Sequence, residues 1–110
     1  MTGYFPHERL KVFQAALEFA RWVHQTRNKF PSAQLKKQLT SAAESVVLNI
    51  CEGAGSSGGN QRKHFQIAYG SAAECHGAVS LCQIYGVRQA DHALDLLAQV
   101  RRMLAGLLRS

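Results

Sequence analysis

Apolar residues recur at intervals of three and four in four segments of the chain, the spacing that places them on one face of an α-helix. No segment alternates apolar and polar residues with a period of two, so no strand is predicted. The predicted helices cover about residues 7–27, 33–52, 60–85 and 90–108. The second carries one apolar stripe, Leu35, Leu39, Ala42, Val46 and Ile50, and the fourth carries another, Ala93, Leu97, Val100, Leu104 and Leu107. Pro6 and Pro31 stand where a helix would begin or break, and Ser32 is a candidate N-cap for the second helix.

The breaks between the predicted helices are short, which favours consecutive helices that run in opposite directions. The 110 residues fit one domain with a single core. The predicted fold is therefore all-α: a single domain, residues 1–110, folded as an antiparallel up-down-up-down four-helix bundle.

The first predicted helix carries two apolar stripes, whereas one stripe is enough to face a bundle core. The stripes are Leu10, Phe13, Leu17 and Ala20, and Val12, Ala16, Phe19 and Val23. This width predicts that the helix is covered on more than one side, and hence that copies of the chain associate.

The third predicted helix combines a heptad-like seam with two interior glycines. The seam consists of Phe65, Ala68, Ala72, Cys75, Val79 and Cys82. Gly70 and Gly77 each cost about 1 kcal/mol relative to alanine in a helix interior. We expect the close approach of a neighbouring helix to compensate for that cost.

Residues 53–58 spell G-x-G-x-x-G, a pattern that in dinucleotide-binding folds follows a strand and opens a helix. Here the preceding segment is helical, and Gly58 is followed by Gly59 rather than by the lysine of a phosphate-binding loop. The sequence therefore predicts that Gly53 ends the second helix. Residues 54–59 are then a mobile turn and not a nucleotide site.

Polar residues flank this turn beside the apolar stripes. Asn49 and Glu52 lie three apart on the second predicted helix, and Ser71 and Glu74 lie three apart on the third. Because buried polar groups need hydrogen-bonding partners, these four residues are predicted to share a polar network between the two helices.

The sequence offers no arrangement typical of a catalytic or metal site. Cys51, Cys75 and Cys82 form no C-x-x-C pair, and their odd number is unlike a disulfide framework. None of the five glutamates is followed by histidine three residues later, as a di-iron bundle requires. Glu74, Cys75 and His76 are adjacent, so they point in different directions on a helix. The chain is therefore predicted to be no enzyme and to need no metal or cofactor.

Two motifs carry a resemblance to a known family. They are Asn49-Ile50-x-Glu52-Gly53 and Ala68-x-Gly70-Ser71-x-x-Glu74. With the surrounding residues 35–74, the chain resembles the four-helix bundle protein family, which includes the proteins encoded in 23S rRNA intervening sequences. That family is related to the accessory variability determinants of diversity-generating retroelements.

This resemblance implies an antiparallel four-helix bundle that assembles as a ring-like homopentamer, with no established catalysis. The related accessory proteins bind nucleic acid and a reverse transcriptase through a basic surface.

Charge favours an acidic partner, because 13 Lys and Arg stand against 7 Asp and Glu, a net charge of +6. An antiparallel bundle would gather many of these cations at its two ends. Three tyrosines, Tyr4, Tyr69 and Tyr85, could stack on bases or could belong to the core or an interface. The candidate nucleic-acid-binding residues are Arg27, Lys29, Lys36, Lys37, Arg62, Lys63 and Arg88.

Two functional hypotheses remain. The first is a non-catalytic homo-oligomer that binds RNA or DNA through its basic patches. The second is a protein–protein interaction module, accessory to a nucleic-acid enzyme such as a reverse transcriptase. No apolar run approaches the ~20 residues that span a bilayer, and the first residues do not form a signal peptide, so a cytoplasmic protein without membrane association is expected.

Overall fold

A computed structural model describes residues 5–110, and in that range the chain is helical with no strand. Two 3₁₀ turns, Pro6–Arg9 and Arg27–Lys29, flank the first α-helix. The α-helices are α1 (Lys11–Thr26), α2 (Ala33–Ala54), α3 (Gly58–Ile84) and α4 (Ala90–Arg109). The prediction of an all-α fold with four helices is confirmed. No helix of this part of the chain is long and apolar enough to span a membrane.

Each helix contacts two others around one core. α1 contacts α2 and α4, and α3 also contacts α2 and α4, with the most extensive contact between α2 and α3. The radius of gyration is 13.7 Å and the longest dimension is 41 Å. The ends of the helices are therefore the two ends of an elongated molecule.

The core is built from the apolar stripes that the sequence predicts. Every member of the α3 seam from Phe65 to Cys82 is buried. The α4 stripe is buried from Ala93 to Leu104, and its last member, Leu107, is half-buried. On α2 the buried stripe consists of Leu35, Leu39, Ala42, Val46 and Ile50. Burial of such side chains stabilises the fold by about 1.5–3 kcal/mol for each large aliphatic or aromatic residue.

Most of the apolar width of α1 is buried inside a single chain. Val12 and Phe19 from one stripe and Phe13 from the other are all buried, and Trp22 between them is also buried. The indole Nε1 of Trp22 donates a hydrogen bond to the carbonyl of Arg88 at 3.0 Å. The wide apolar surface of α1 therefore packs against α2, α4 and the α3–α4 turn of the same chain. This width is not by itself evidence for self-association.

Local capping sets the limits of two helices. α1 begins at Lys11, later than residue 7, because Leu10 is extended (φ −86°, ψ 127°) after the 3₁₀ turn. The predicted N-cap of α2 is confirmed, since Ser32 Oγ accepts a hydrogen bond from the Leu35 amide at 3.0 Å.

The prediction that Gly53 ends α2 is wrong. The helix continues to Ala54, and Gly53 is buried inside it. A Cβ atom at Gly53 would lie 2.6 Å from the Phe65 ring, so glycine is needed there for the close approach of α3. The connection is also shorter than predicted, because α3 begins at Gly58, and Gln61 Nε2 donates to the Gly53 and Ser56 carbonyls at 2.9 and 3.0 Å.

We expect Gly53→Ala to lower the free energy of unfolding by about 1–2 kcal/mol. Overpacking costs about 1–3 kcal/mol, and a Cβ only 2.6 Å from the Phe65 ring places Gly53→Ala in the upper part of that range, at about 2–3 kcal/mol. The better helix propensity of alanine offsets about 1 kcal/mol of this cost. Urea denaturation followed by circular dichroism measures the difference. Gly59→Ala is the matched control, because nothing lies within 4 Å of a Cβ at Gly59 and its stability should not fall. Equal stability of Gly53→Ala and the unmodified protein would contradict this account.

Candidate functional site

A chain of hydrogen bonds joins α2 to α3 near their middle. Ser45 Oγ and Ser71 Oγ lie 2.8 Å apart, and Asn49 Nδ2 donates to the Ser45 carbonyl at 2.9 Å. His64 Nδ1 lies 2.9 Å from Asn49 Oδ1. All four side chains are half-buried, so the network fixes the two helices relative to each other while remaining in contact with solvent.

The directions of these bonds follow from Asn49. Its amide nitrogen donates to Ser45, so the atom that faces His64 is the oxygen, which can only accept. His64 Nδ1 therefore carries the hydrogen. This imidazole is held in one tautomer by an asparagine, and its role is to bridge the helices.

The structure brings together two of the four residues that were predicted to share a polar network. Asn49 and Ser71 meet through Ser45, whereas Glu52 and Glu74 are exposed and lie outside the network. Sequence reasoning missed Ser45 and His64. Ser45 stands four residues before Asn49 and His64 seven before Ser71, so helical spacing was the signal that could have found them.

The cysteines are packing residues. Cys75 and Cys82 are fully buried, and Cys51 is half-buried. Burial, with a smaller contribution from Glu74, raises the pKa of the Cys75 thiol to about 12, so almost none of it is the nucleophilic thiolate at neutral pH. Within residues 5–110, no three His, Cys, Asp or Glu side chains are grouped so that they could hold a metal ion.

Five candidate cations lie around one end of the molecule, which we call the Arg88 end: Arg27, Lys29, Lys36, Lys37 and Arg88. The hydrogen bond from Trp22 to the Arg88 carbonyl holds the α3–α4 turn beside the end of α1. Lys36 Nζ donates to Asn28 Oδ1 at 3.2 Å, which ties the first turns of α2 to the preceding connection. Lys29, Lys37 and Arg88 are exposed.

The remaining two candidates, Arg62 and Lys63, lie near the start of α3, at what we call the Arg62 end. Arg62 Nη1 donates to the carbonyl of Leu108 at 2.6 Å. That carbonyl belongs to the last turn of α4, where a cation also suits the helix dipole. Arg62 thus has a structural partner, whereas Lys63 is exposed.

None of the seven candidate cations forms an ion pair with a carboxylate of residues 5–110. Among residues 5–110 the one ion pair is Arg21 Nη2 to Glu18 Oε1, 3.6 Å apart and exposed on α1. Asp91, three residues after Arg88, accepts a hydrogen bond from Gln83, and Glu74 lines a groove with Lys37. An anionic ligand at either end would therefore replace no direct ion pair of these cations.

The tyrosines differ in their availability for stacking. Tyr4 lies outside the described residues. Tyr69 is half-buried, and the Arg101 guanidinium lies 5.9 Å from its ring centroid. Tyr85 is 64% exposed next to the Arg88 end, so it is the tyrosine best placed to meet a base.

Tyr85 also borders a groove of about 470 Å³ between α2 and α3. The side chains that line it are all uncharged: Pro31, Ser32, Gln34, Leu35, Gln38, Leu81 and Tyr85. Amide and hydroxyl groups of this kind can hydrogen-bond base edges or sugar hydroxyls, and the cations of the Arg88 end lie beside them.

The comparison with protein families agrees with the motifs in α2 and α3. The family model described as 23S rRNA-intervening sequence protein matches residues 8–108, which is nearly the whole chain. No curated protein matches the sequence.

The polar network predicts energetic coupling between α2 and α3. Asn49→Ala leaves the His64 Nδ1 hydrogen without its acceptor, so we expect a loss of about 1–2 kcal/mol in the free energy of unfolding. A double-mutant cycle with His64→Ala should give a coupling energy of about 1 kcal/mol. The control cycle pairs Asn49→Ala with His92→Ala on the exposed face of α4, where no coupling is expected. Zero coupling in the first cycle would contradict the network.

The thiols should differ in reactivity. At pH 8 the raised pKa and burial of Cys75 leave very little thiolate, so iodoacetamide should modify the half-buried Cys51 first. Intact-mass spectrometry should show one modification in the native protein and three in denaturant. Modification of Cys75 at the same rate as Cys51 in the native protein would contradict its place in the core.

Proposed function

Because the chain belongs to the 23S rRNA-intervening sequence protein family, we propose that it is a non-catalytic, homo-oligomeric four-helix bundle that binds RNA or DNA in the cytoplasm. The observation that carries the proposal is the set of seven cations at the two ends, none of which forms an ion pair within residues 5–110. Such surfaces attract phosphates and release counterions when they bind.

An antiparallel course of the helices is part of this proposal. Hydrogen bonds pair Ser45 with Ser71 and Asn49 with His64, so positions later in α2 meet positions earlier in α3. Arg62 at the start of α3 likewise meets Leu108 at the end of α4. These pairs and the short connections support an up-down-up-down arrangement.

The Arg88 end is the better of the two candidate binding surfaces. Lys29, Lys37 and Arg88 are exposed and have flexible side chains that can follow a phosphate backbone. The exposed ring of Tyr85 can add stacking on an unpaired base, which is worth about 1–3 kcal/mol per base. Single-stranded loops of structured RNA offer both phosphates and unstacked bases, so they are the proposed ligands.

Assembly would strengthen this binding. We propose a ring-like homopentamer, the form that resemblance to the four-helix bundle family implies. A ring repeats each basic patch once per chain, so one RNA molecule could contact several patches. Simultaneous contacts raise the overall affinity by a factor of about 10²–10⁴ where the geometry allows them.

A non-catalytic role agrees with the chemistry of the candidate groups. The Cys75 thiol is protonated and buried, and the Nδ1 hydrogen of His64 is engaged with Asn49. Neither group is arranged as a nucleophile with its base.

A protein–protein interaction module, accessory to a nucleic-acid enzyme such as a reverse transcriptase, is the second candidate. The observation that favours it is apolar surface on α3, where Ile84 is 77% exposed and Leu81 is 46% exposed. Exposed apolar residues of this size are typical of protein contacts rather than phosphate contacts.

A salt titration separates the two candidates. We expect the protein to bind a labelled RNA hairpin, followed by fluorescence anisotropy, and to lose affinity several-fold between about 50 mM and about 200 mM salt. Lys36→Gln with Lys37→Gln should weaken binding and reduce the salt slope by about one for each phosphate contact that is lost.

The control is Arg21→Gln with Arg102→Gln, which removes the same net charge from exposed positions outside the candidate patches. It should bind more tightly than the Lys36 and Lys37 variant. Equal weakening in both variants would mean that only net charge matters. Absence of binding by the unmodified protein at low salt would reject nucleic-acid binding and favour the interaction module.

A further inference from the structure

The solvent side of α3 carries a second heptad-like stripe, opposite the one in the core. We call it the outer stripe, and its members are Ile67, Gly70, Glu74, Gly77, Leu81 and Ile84. Their spacing of 3, 4, 3, 4 and 3 is the spacing of a helix face that packs against another helix. All six are exposed, and they extend about 26 Å along the helix.

The glycines of the outer stripe face open space. Nothing lies within 4 Å of a Cβ atom at Gly70 or at Gly77. The neighbouring helix that was expected to compensate for their cost is therefore not in the same chain. Each glycine lowers the stability of the helix by about 1 kcal/mol relative to alanine. Within one molecule no contact requires glycine at these positions, because an alanine Cβ would fit at both.

The charge of α3 favours contact with another copy of this protein. No lysine or arginine occurs between Lys63 and Arg88, and Glu74 is the one charged side chain in the outer stripe. Two copies of a chain with net charge +6 repel each other except where their surfaces lack cations. A face with no cations of its own is also unsuited to phosphates. Its α2 side borders the Arg88 end, because Leu81 lines the groove of Tyr85 and Glu74 lines a groove with Lys37. The other four members of the outer stripe line neither groove.

We propose that a second copy of the chain covers the outer stripe of α3. This inference rests on the homo-oligomer of the proposed function and names the surface through which it forms. Ile67 and Ile84 supply apolar contact area, and Gly70 and Gly77 allow the backbone of the neighbouring copy to approach closely. The glycines are thus compensated between chains rather than within one.

Light scattering on the protein without nucleic acid tests the proposal. The unmodified protein should have the mass of more than one chain, and Ile67→Glu with Ile84→Glu, at exposed positions outside the groove of Tyr85, should reduce it to the mass of one chain. The control, Gln25→Glu with Gln99→Glu, introduces the same two charges at exposed positions on α1 and α4 and should keep the mass of the unmodified protein.

A second variant separates loss of contact from loss of folding. Gly70→Leu with Gly77→Leu adds good helix formers where space is open, so helicity by circular dichroism should be retained while the glycine-lined approach is blocked. The expected result is a folded protein with reduced mass. A single-chain mass for the unmodified protein, or an unchanged mass for the Gly70 and Gly77 variant, would overturn the proposal.

The anisotropy measurement on the same proteins keeps the two proposals distinguishable. An assembly that dissociates when the outer stripe is changed, but that binds no RNA, supports this inference and rejects nucleic-acid binding. A single-chain protein that binds RNA with the expected salt dependence would overturn this inference and support nucleic-acid binding.

Discussion

The close approach of α2 and α3 is the contact on which the rest of the structure depends. Gly53 allows the Phe65 ring to lie against the backbone of α2, and the Ser45–Ser71 hydrogen bond joins the same two helices farther along. This pair has the most extensive contact in the molecule, and α1 and α4 complete the core against it. Because the hydrogen bonds fix α3 along α2, they also fix where the cations at each end of these helices are presented.

The fold could be predicted from helical periodicity because burial follows it closely. The α3 seam and the α2 stripe are buried as expected, since each needs only one apolar face. The end of α2 was predicted wrongly because a glycine before a Ser- and Gly-rich segment is typical of a helix end. The contact of Gly53 with Phe65 depends on tertiary packing, which local sequence does not encode.

The site was less predictable for a similar reason. Asn49 and Ser71 were identified by their position beside apolar stripes, but their shared partner Ser45 depends on the rotation of α2 against α3. Glu52 and Glu74 have the same helical spacing and face solvent instead. Spacing identifies which residues share a helix face, whereas the rotation of one helix against another decides what that face meets.

The hydrogen bond from Arg62 to the Leu108 carbonyl would link the proposed binding of a phosphate at this end to the last turn of α4. A guanidinium that turned toward a phosphate would release this carbonyl, which already lacks a partner within its own helix. Part of the binding free energy at that end would then be offset by fraying of the last turn of α4. Occupancy of the Arg62 end by the proposed ligand and order at the C-terminus would in this way be thermodynamically opposed, and amide exchange near Leu108 would report on that ligand.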